Sequence, residues 1–183
     1  MQTEIFIGTN IKVIDIETTG LDVQLDTIIE LGVIEYEDGE FIREHSRVFG
    51  GGSSSPNLVK IHGIKDGERI GLLRFEDCAE NIANYLSNTI LAGYNLKKFD
   101  IPMIAYKLKS SGRILENYKT IDVYNLVRRL KIATVDNKLK TVCEKYGIGY
   151  GNHRGLEDSR CTWSLLNRLI EEYKIKDIKE LLK

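Results

Sequence analysis

The most restrictive feature of this sequence is the succession of three β-rich runs near its start, with no helical period between them. Ile11-Lys12-Val13-Ile14-Asp15-Ile16-Glu17 alternates around β-branched residues and then enters Thr18-Thr19-Gly20, which predicts a strand ending in a turn. Thr27 to Tyr36 is a second such run, Glu37-Asp38-Gly39-Glu40 a turn, and Phe41 to Phe49 a third run with apolar and polar residues interleaved. Three strands in a row imply an antiparallel meander, which cannot bury a core alone and needs other elements packed on it.

Those elements follow. Gly50-Gly51-Gly52-Ser53-Ser54-Ser55-Pro56 has linker composition, but because the meander cannot stand alone it is expected to be a flexible loop within one domain. Beyond it, Phe75 to Leu86 has helical spacing, Thr89 to Tyr94 reads as a short buried strand, and Asp100 to Leu108 is helical again. Lys119-Thr120-Ile121 predicts a further short strand. Helices are expected at Val123 to Leu130, Leu139 to Tyr146 and Leu156 to Tyr173, with a short one near Asp177 to Leu182. The expected fold is α/β: a mixed sheet, made of the three-stranded antiparallel meander plus parallel strands, flanked by helices in a single domain over residues 1–183. The chain is 42% hydrophobic, enough to enclose such a core.

No stretch approaches the roughly 18 apolar residues of a membrane span, and Met1-Gln2-Thr3-Glu4 does not begin a signal segment, so a cytoplasmic protein without a membrane partner is expected. Cys78, Cys143 and Cys161 show no metal-binding spacing and read as reduced core or boundary residues. The formal net charge of -1 gives no global attraction to nucleic acid. It conceals an asymmetry: residues 97–140 hold 11 Lys/Arg against 4 Asp/Glu. On composition alone such a run is a solvated face.

Three places carry candidate chemistry. Asp15 and Glu17, two apart on a strand, project from one face, where two carboxylates repel unless a cation joins them. Asp100 opens a predicted helix after the buried run Ala92-Gly93-Tyr94, a position usually held by a capping acid. His153 stands in a loop five residues before Asp158, on the first turn of the last long helix.

Together these pieces resemble the DnaQ-like, or DEDDh, 3′-5′ exonuclease family, named for four acids and a histidine spread over three motifs. Val13 to Leu21 looks like the first motif, Asn95 to Asp100 the second, and His153 with Asp158 the third; Ile61-His62-Gly63-Ile64 is similar to a recurrent stretch between the first two. The second motif has three residues between Asn95 and Phe99 where the commonest pattern has two, so Asn95 is placed less firmly than Asp100.

The resemblance implies an RNase H-like fold and a phosphodiester hydrolase working with two Mg²⁺ ions, with Mn²⁺ as a substitute, held by Asp15, Glu17, Asp100 and Asp158. It implies His153 as general base, and contacts to the terminal nucleotide from Thr18, Thr19, Leu21 and Asn95. Tyr94 and Phe99 would border the site, His62 would be structural, and His45 would lie on a strand face. Lys97, Lys98 and the basic residues toward Lys140 would meet the upstream backbone. The expected product is a nucleoside 5′-monophosphate released from the 3′ end of single-stranded DNA, with a DNA polymerase as the partner the resemblance suggests. Trimming of RNA 3′ ends, a non-catalytic module that binds nucleic-acid ends or a polymerase, and a small-molecule phosphoesterase stay open as alternatives.

Overall fold

The computed structural model describes residues 3–150 and 154–182. Its five strands are β1 (Asn10–Thr18), β2 (Ile28–Glu37), β3 (Glu40–Val48), β4 (Ile90–Gly93) and β5 (Lys119–Asp122). They form one sheet in the order β3-β2-β1-β4-β5. The meander is antiparallel, and β4 and β5 join it parallel to β1. The six helices are α1 (Pro56–His62), α2 (Ala79–Leu86), α3 (Asp100–Ser110), α4 (Val123–Arg129), α5 (Leu139–Lys145) and α6 (Gly155–Glu172). The mixed sheet flanked by helices agrees with the fold read from the sequence.

Strand alternation divides the core in two. Ile11, Val13 and Ile34 face α6, packing with Leu165, Leu166 and Leu169. Trp163 of α6 stacks on Tyr36 with ring centroids 3.9 Å apart and leans on Phe6 at 5.0 Å. Ile14, Ile16 and Val33 face the other way, onto Ile82 and Leu86 of α2 and Met103 and Ile104 of α3. All three cysteines are buried.

Local structure departs from expectation at four places. The helix expected over Phe75 to Leu86 opens as a 3₁₀ turn, Glu76–Cys78, before α2 begins, and the final short helix is a 3₁₀ turn over Ile178–Glu180. Helix α1 was not foreseen, although its end signals are in the sequence. Ser55 accepts the Leu58 N–H at 3.3 Å, Pro56 fills the first turn, and Gly63 closes the helix in the left-handed region at φ 74°. The expected flexible loop before it is tethered: the Gly50 N–H donates to the Leu73 carbonyl at 2.9 Å, the Ser54 N–H donates to Asp66, and the buried Arg69 guanidinium donates to the carbonyls of Gly51 and Gly52. Gly-Ser composition concealed these anchors because they come from residues 66–73.

Two glycines set the position of α6. Gly32 pairs with Asp15 across β2 and β1, and Gly155, the first residue of α6, lies directly on that pair. A Cβ on Gly155 would come 2.9 Å from the Gly32 nitrogen and 3.0 Å from the Asp15 carbonyl oxygen. Backbone thus meets backbone where other residues would hold the layers apart. Gly155→Ala is expected to cost roughly 1–3 kcal/mol of stability in urea unfolding. Gly67→Ala, where an added Cβ meets nothing within 4 Å, should stay within about 0.5 kcal/mol. Equal losses would refute the close-contact role.

Candidate active site

The parallel strands β1, β4 and β5 end on the same edge of the sheet, at Thr18, Gly93 and Asp122, the edge where open α/β sheets place their ligands. Asp15 and Glu17 lie at the end of β1, half-buried on the face that α6 covers, and a bulge between Glu17 and Thr18 shifts the pairing with β2 there. β1 pairs with β4 only from Ile11 to Val13, so the Ile16 N–H beyond that stretch needs another acceptor. Asp100 supplies it: its Oδ1 accepts the Ile16 N–H at 3.2 Å. The buried Asp100 is the first residue of α3, and its side chain reaches β1 as well as its own backbone N–H. Asp158, buried in the first turn of α6, accepts the Tyr150 hydroxyl at 2.9 Å.

Four carboxylates from β1, α3 and α6 therefore share one region, and Asp15 and Glu17 feel the other acids. Burial first, and then Asp100, Glu17 and Asp158, raise Asp15 well above the usual carboxylate range. Burial and the charges of Asp158, Glu30 and Asp100 push Glu17 up to about 8. Burial also lifts Asp100 to about 7, against the pull of its backbone hydrogen bonds. Among the described residues, no three or more His, Cys, Asp or Glu are drawn into a ready-made metal cluster. The donor chemistry nevertheless fits hard divalent cations: oxygen-only ligands carry negative charge that burial makes costly and that nearby positive charge would stabilise.

A cleft of about 530 Å³ opens here, lined by Asp15, Asp100, Leu21, Tyr94, Asn95 and Phe99 among others. Leu21 is 79% exposed, and Asn95 is held in the left-handed region at φ 61°. The Thr18 and Thr19 hydroxyls serve the turn after β1, donating to the Gly20 carbonyl at 2.6 Å and to Asp26 at 3.0 Å. His153 lies outside the described residues. His62 is buried, its Nδ1 accepting the Ile64 N–H at 3.0 Å, and His45 is exposed on β3 beside Tyr85.

Three supporting groups escaped the sequence reading. Glu30, 1% exposed on β2 opposite Glu17, accepts both the Arg154 guanidinium and the Gly155 N–H, with Ser46 as a further donor. Burial pushes Glu30 up, but these bonds outweigh it and hold the group below its ordinary range. Asp122 accepts the N–H groups of Asn95, Lys97 and Asn125, fixing the loop before α3 and the start of α4 together. Tyr150 is the third. A lone acid amid β-branched residues, as in Ile28-Ile29-Glu30-Leu31 and Ile121-Asp122-Val123, was the available signal for the first two.

A profile of the exonuclease family matches residues 13–166. The PolC-type DNA polymerase III of Thermotoga petrophila is 29% identical over 171 residues, covering 92% of this chain but 12% of that protein. The DNA polymerase III epsilon subunit of Treponema pallidum is 23% identical over 163 residues, covering 87% of this chain and 75% of that one. Among solved structures, E. coli Exonuclease I in complex with a dT13 oligonucleotide superposes with a TM-score of 0.79 at 18% identity. The match covers 88% of this chain and 41% of the other, and it shows the RNase H-like exonuclease fold.

Two outcomes are expected. Asp15, Glu17 and Asp100 bind protons more tightly folded than unfolded, so the folded state carries the excess protons from the ordinary carboxylate range up to about pH 8. Stability therefore falls as pH rises through that window. With chelator present, Tm should drop between pH 5 and pH 8, and millimolar Mg²⁺ should raise it more at pH 8 than at pH 5; a pH-independent Mg²⁺ effect would contradict the assignment. Glu30→Ala should destabilise by about 1–3 kcal/mol in urea, because it leaves the buried Gly155 N–H without its acceptor while the partly exposed Arg154 can turn to water, and Glu30→Gln by less.

Proposed function

The chain belongs to the exonuclease family, and on that premise we propose that it is a metal-dependent 3′-5′ exonuclease that releases nucleoside 5′-monophosphates from single-stranded DNA. The convergence of the four acids at the strand ends, where Asp100 and Asp158 raise the proton affinity of Asp15 and Glu17, is the observation that carries this assignment. DNA is chosen because the relatives are DNA polymerase III chains and the structural neighbour holds a dT13 oligonucleotide. A polymerase as partner belongs to the same proposal.

Each residue then has a task. Asp15, Glu17, Asp100 and Asp158 hold two divalent ions, Mg²⁺ or Mn²⁺. Two such ions would supply Lewis acidity to a scissile phosphate and lower the pKa of a bound water. His153, assigned by its offset from Asp158, takes the proton from the attacking water at an imidazole nitrogen. Leu21, exposed at the mouth of the cleft, packs against the terminal base, and backbone groups of Thr18 and Thr19 position the terminal sugar. Asn95, fixed through Asp122, contacts the same nucleotide. Stacking on a terminal base tolerates any sequence, as removal of every nucleotide in turn requires.

The test is a time course with 5′-labelled single-stranded DNA and matched RNA, with Mg²⁺ or chelator, on the parent protein and Asp15→Asn. A ladder shortening from the 3′ end, abolished by chelation and slowed by on the order of 100-fold or more in the variant, is expected, with DNA degraded faster than RNA. Shortening from the 5′ end, internal cleavage or chelator-resistant turnover would each overturn the proposal, and faster loss of RNA would reassign the substrate.

A further inference from the structure

A guanidinium is costly to bury unless it is closely paired. Arg69 is only 3% exposed, yet its acidic partner Asp66, 2.6 Å away, has a side chain 41% exposed. The rest of the fork is turned on backbone. Nη1 donates to the Gly51 carbonyl and Nη2 to the Gly52 carbonyl at 3.3 Å. Asp66 completes the clasp, accepting the Ser53 hydroxyl at 2.5 Å and the Ser54 N–H at 3.1 Å. On the other side, a Cβ on Gly50 would come 2.3 Å from the Leu72 carbonyl oxygen. Gly51 and Gly52 both lie in the left-handed region, at φ 87° and 62°. A buried charge thus fixes three successive glycines, the residues with the most freedom to lose.

What this loop touches gives the clasp a purpose. A Cβ on Gly52 would come 2.8 Å from Cγ2 of Thr19 and 3.1 Å from Cβ and Oγ1 of Thr27. Those two threonines close the turn that carries Leu21: the Thr19 N–H donates to the Thr27 carbonyl at 3.0 Å, and the Thr27 N–H donates to the Thr19 hydroxyl at 2.9 Å. We propose that Arg69 is a positioning residue for the terminal-nucleotide site. By fixing Gly52 it fixes Thr19, and with Thr19 the turn whose backbone and Leu21 side chain receive the last sugar and base. The assignment rests on the exonuclease reading of the acid cluster.

The kinetic signature follows from where the loop presses. Asp15 and Glu17 lie before Thr19 on β1 and are held by pairing with β2 and by the backbone contact with Gly155. Loss of the guanidinium therefore loosens the nucleotide seat and leaves the acids in place. A looser seat weakens binding of the ground state and of the transition state alike, which raises KM and leaves kcat nearly unchanged. An Arg69 that served the fold alone would lower the folded fraction instead, so that activity falls while KM stays where it was.

The experiment measures KM and kcat on a 5′-labelled single-stranded DNA oligonucleotide with Mg²⁺, and the folded fraction by urea unfolding, for the parent, Arg69→Met, Arg69→Lys, Gly52→Ala and Gly67→Ala. Arg69→Met should raise KM about tenfold with kcat per folded molecule within about twofold of the parent. Arg69→Lys, which keeps the charge but not the fork, should fall between the two. Gly52→Ala keeps the guanidinium and should raise KM about fivefold by pressing on Thr19. That rise should shrink when Gly52→Ala is combined with Thr19→Ser, which removes the methyl facing Gly52, and is compared with Thr19→Ser alone. Gly67→Ala, where an added Cβ meets nothing within 4 Å, should leave KM unchanged. Turnover by the parent with an unchanged KM in either Arg69→Met or Gly52→Ala would overturn the positioning role alone. Should Arg69→Met fail to fold, Gly52→Ala and its combination with Thr19→Ser decide the matter. No turnover by the parent overturns the exonuclease reading, and the positioning role falls with it.

Discussion

Like charges gathered where water is scarce push one another apart, so the four carboxylates at the end of β1 must be held together by something other than their own attraction. Uncharged backbone contacts do much of it. The Ile16 N–H fixes Asp100, the Gly32–Gly155 contact brings α6 onto the sheet, and the bulge at Glu17 sets the strand's last turn. The charged bracket among the described residues, Glu30 with Arg154, is neutral as a pair and ties β2 to the residue just before α6. Everything else in the site inherits its position from these few restraints, because the hydrophobic layers behind them leave the strand ends no other place to go.

Much of this was legible beforehand because alternation and helical period are local. The meander, the order of later strands and helices, and the placement of Asp15, Glu17, Asp100 and Asp158 at element ends all follow from residue patterns a few positions long. What escaped depends on partners far apart in sequence. Arg69 reaches back to Gly51, Glu30 waits for Arg154, and Asp122 for Asn95. Nothing near Gly50 announces that a guanidinium will hold it down. Taken alone Asp100 looks like a helix partner, as first-turn acids usually are; only the motif around it pointed to the site, and the strand N–H it accepts lies far away in sequence.

The basic run between residues 97 and 140 shows the opposite limit. Composition detected an excess of charge, but only folding decides which members face a common surface. Several are spent on carbonyls and carboxylates of neighbouring elements, while Lys98, Lys138 and Lys140 border one groove from the loop before α3 and the start of α5. Charge density along a chain and charge density in space are different quantities.

The backbone contact at Gly155 also acts as a fulcrum. Helix α6 runs for 18 residues, roughly 27 Å, and Asp158 lies only about 4.5 Å along it from that pivot. If the far end swings by 1 Å as Trp163, Leu169 and their neighbours repack, the lever shortens the motion at Asp158 to about 0.2 Å. The end of the helix that carries the carboxylate is thereby insulated from the end that carries the core, so core residues can drift in size over time without disturbing the distances on which the chemistry depends.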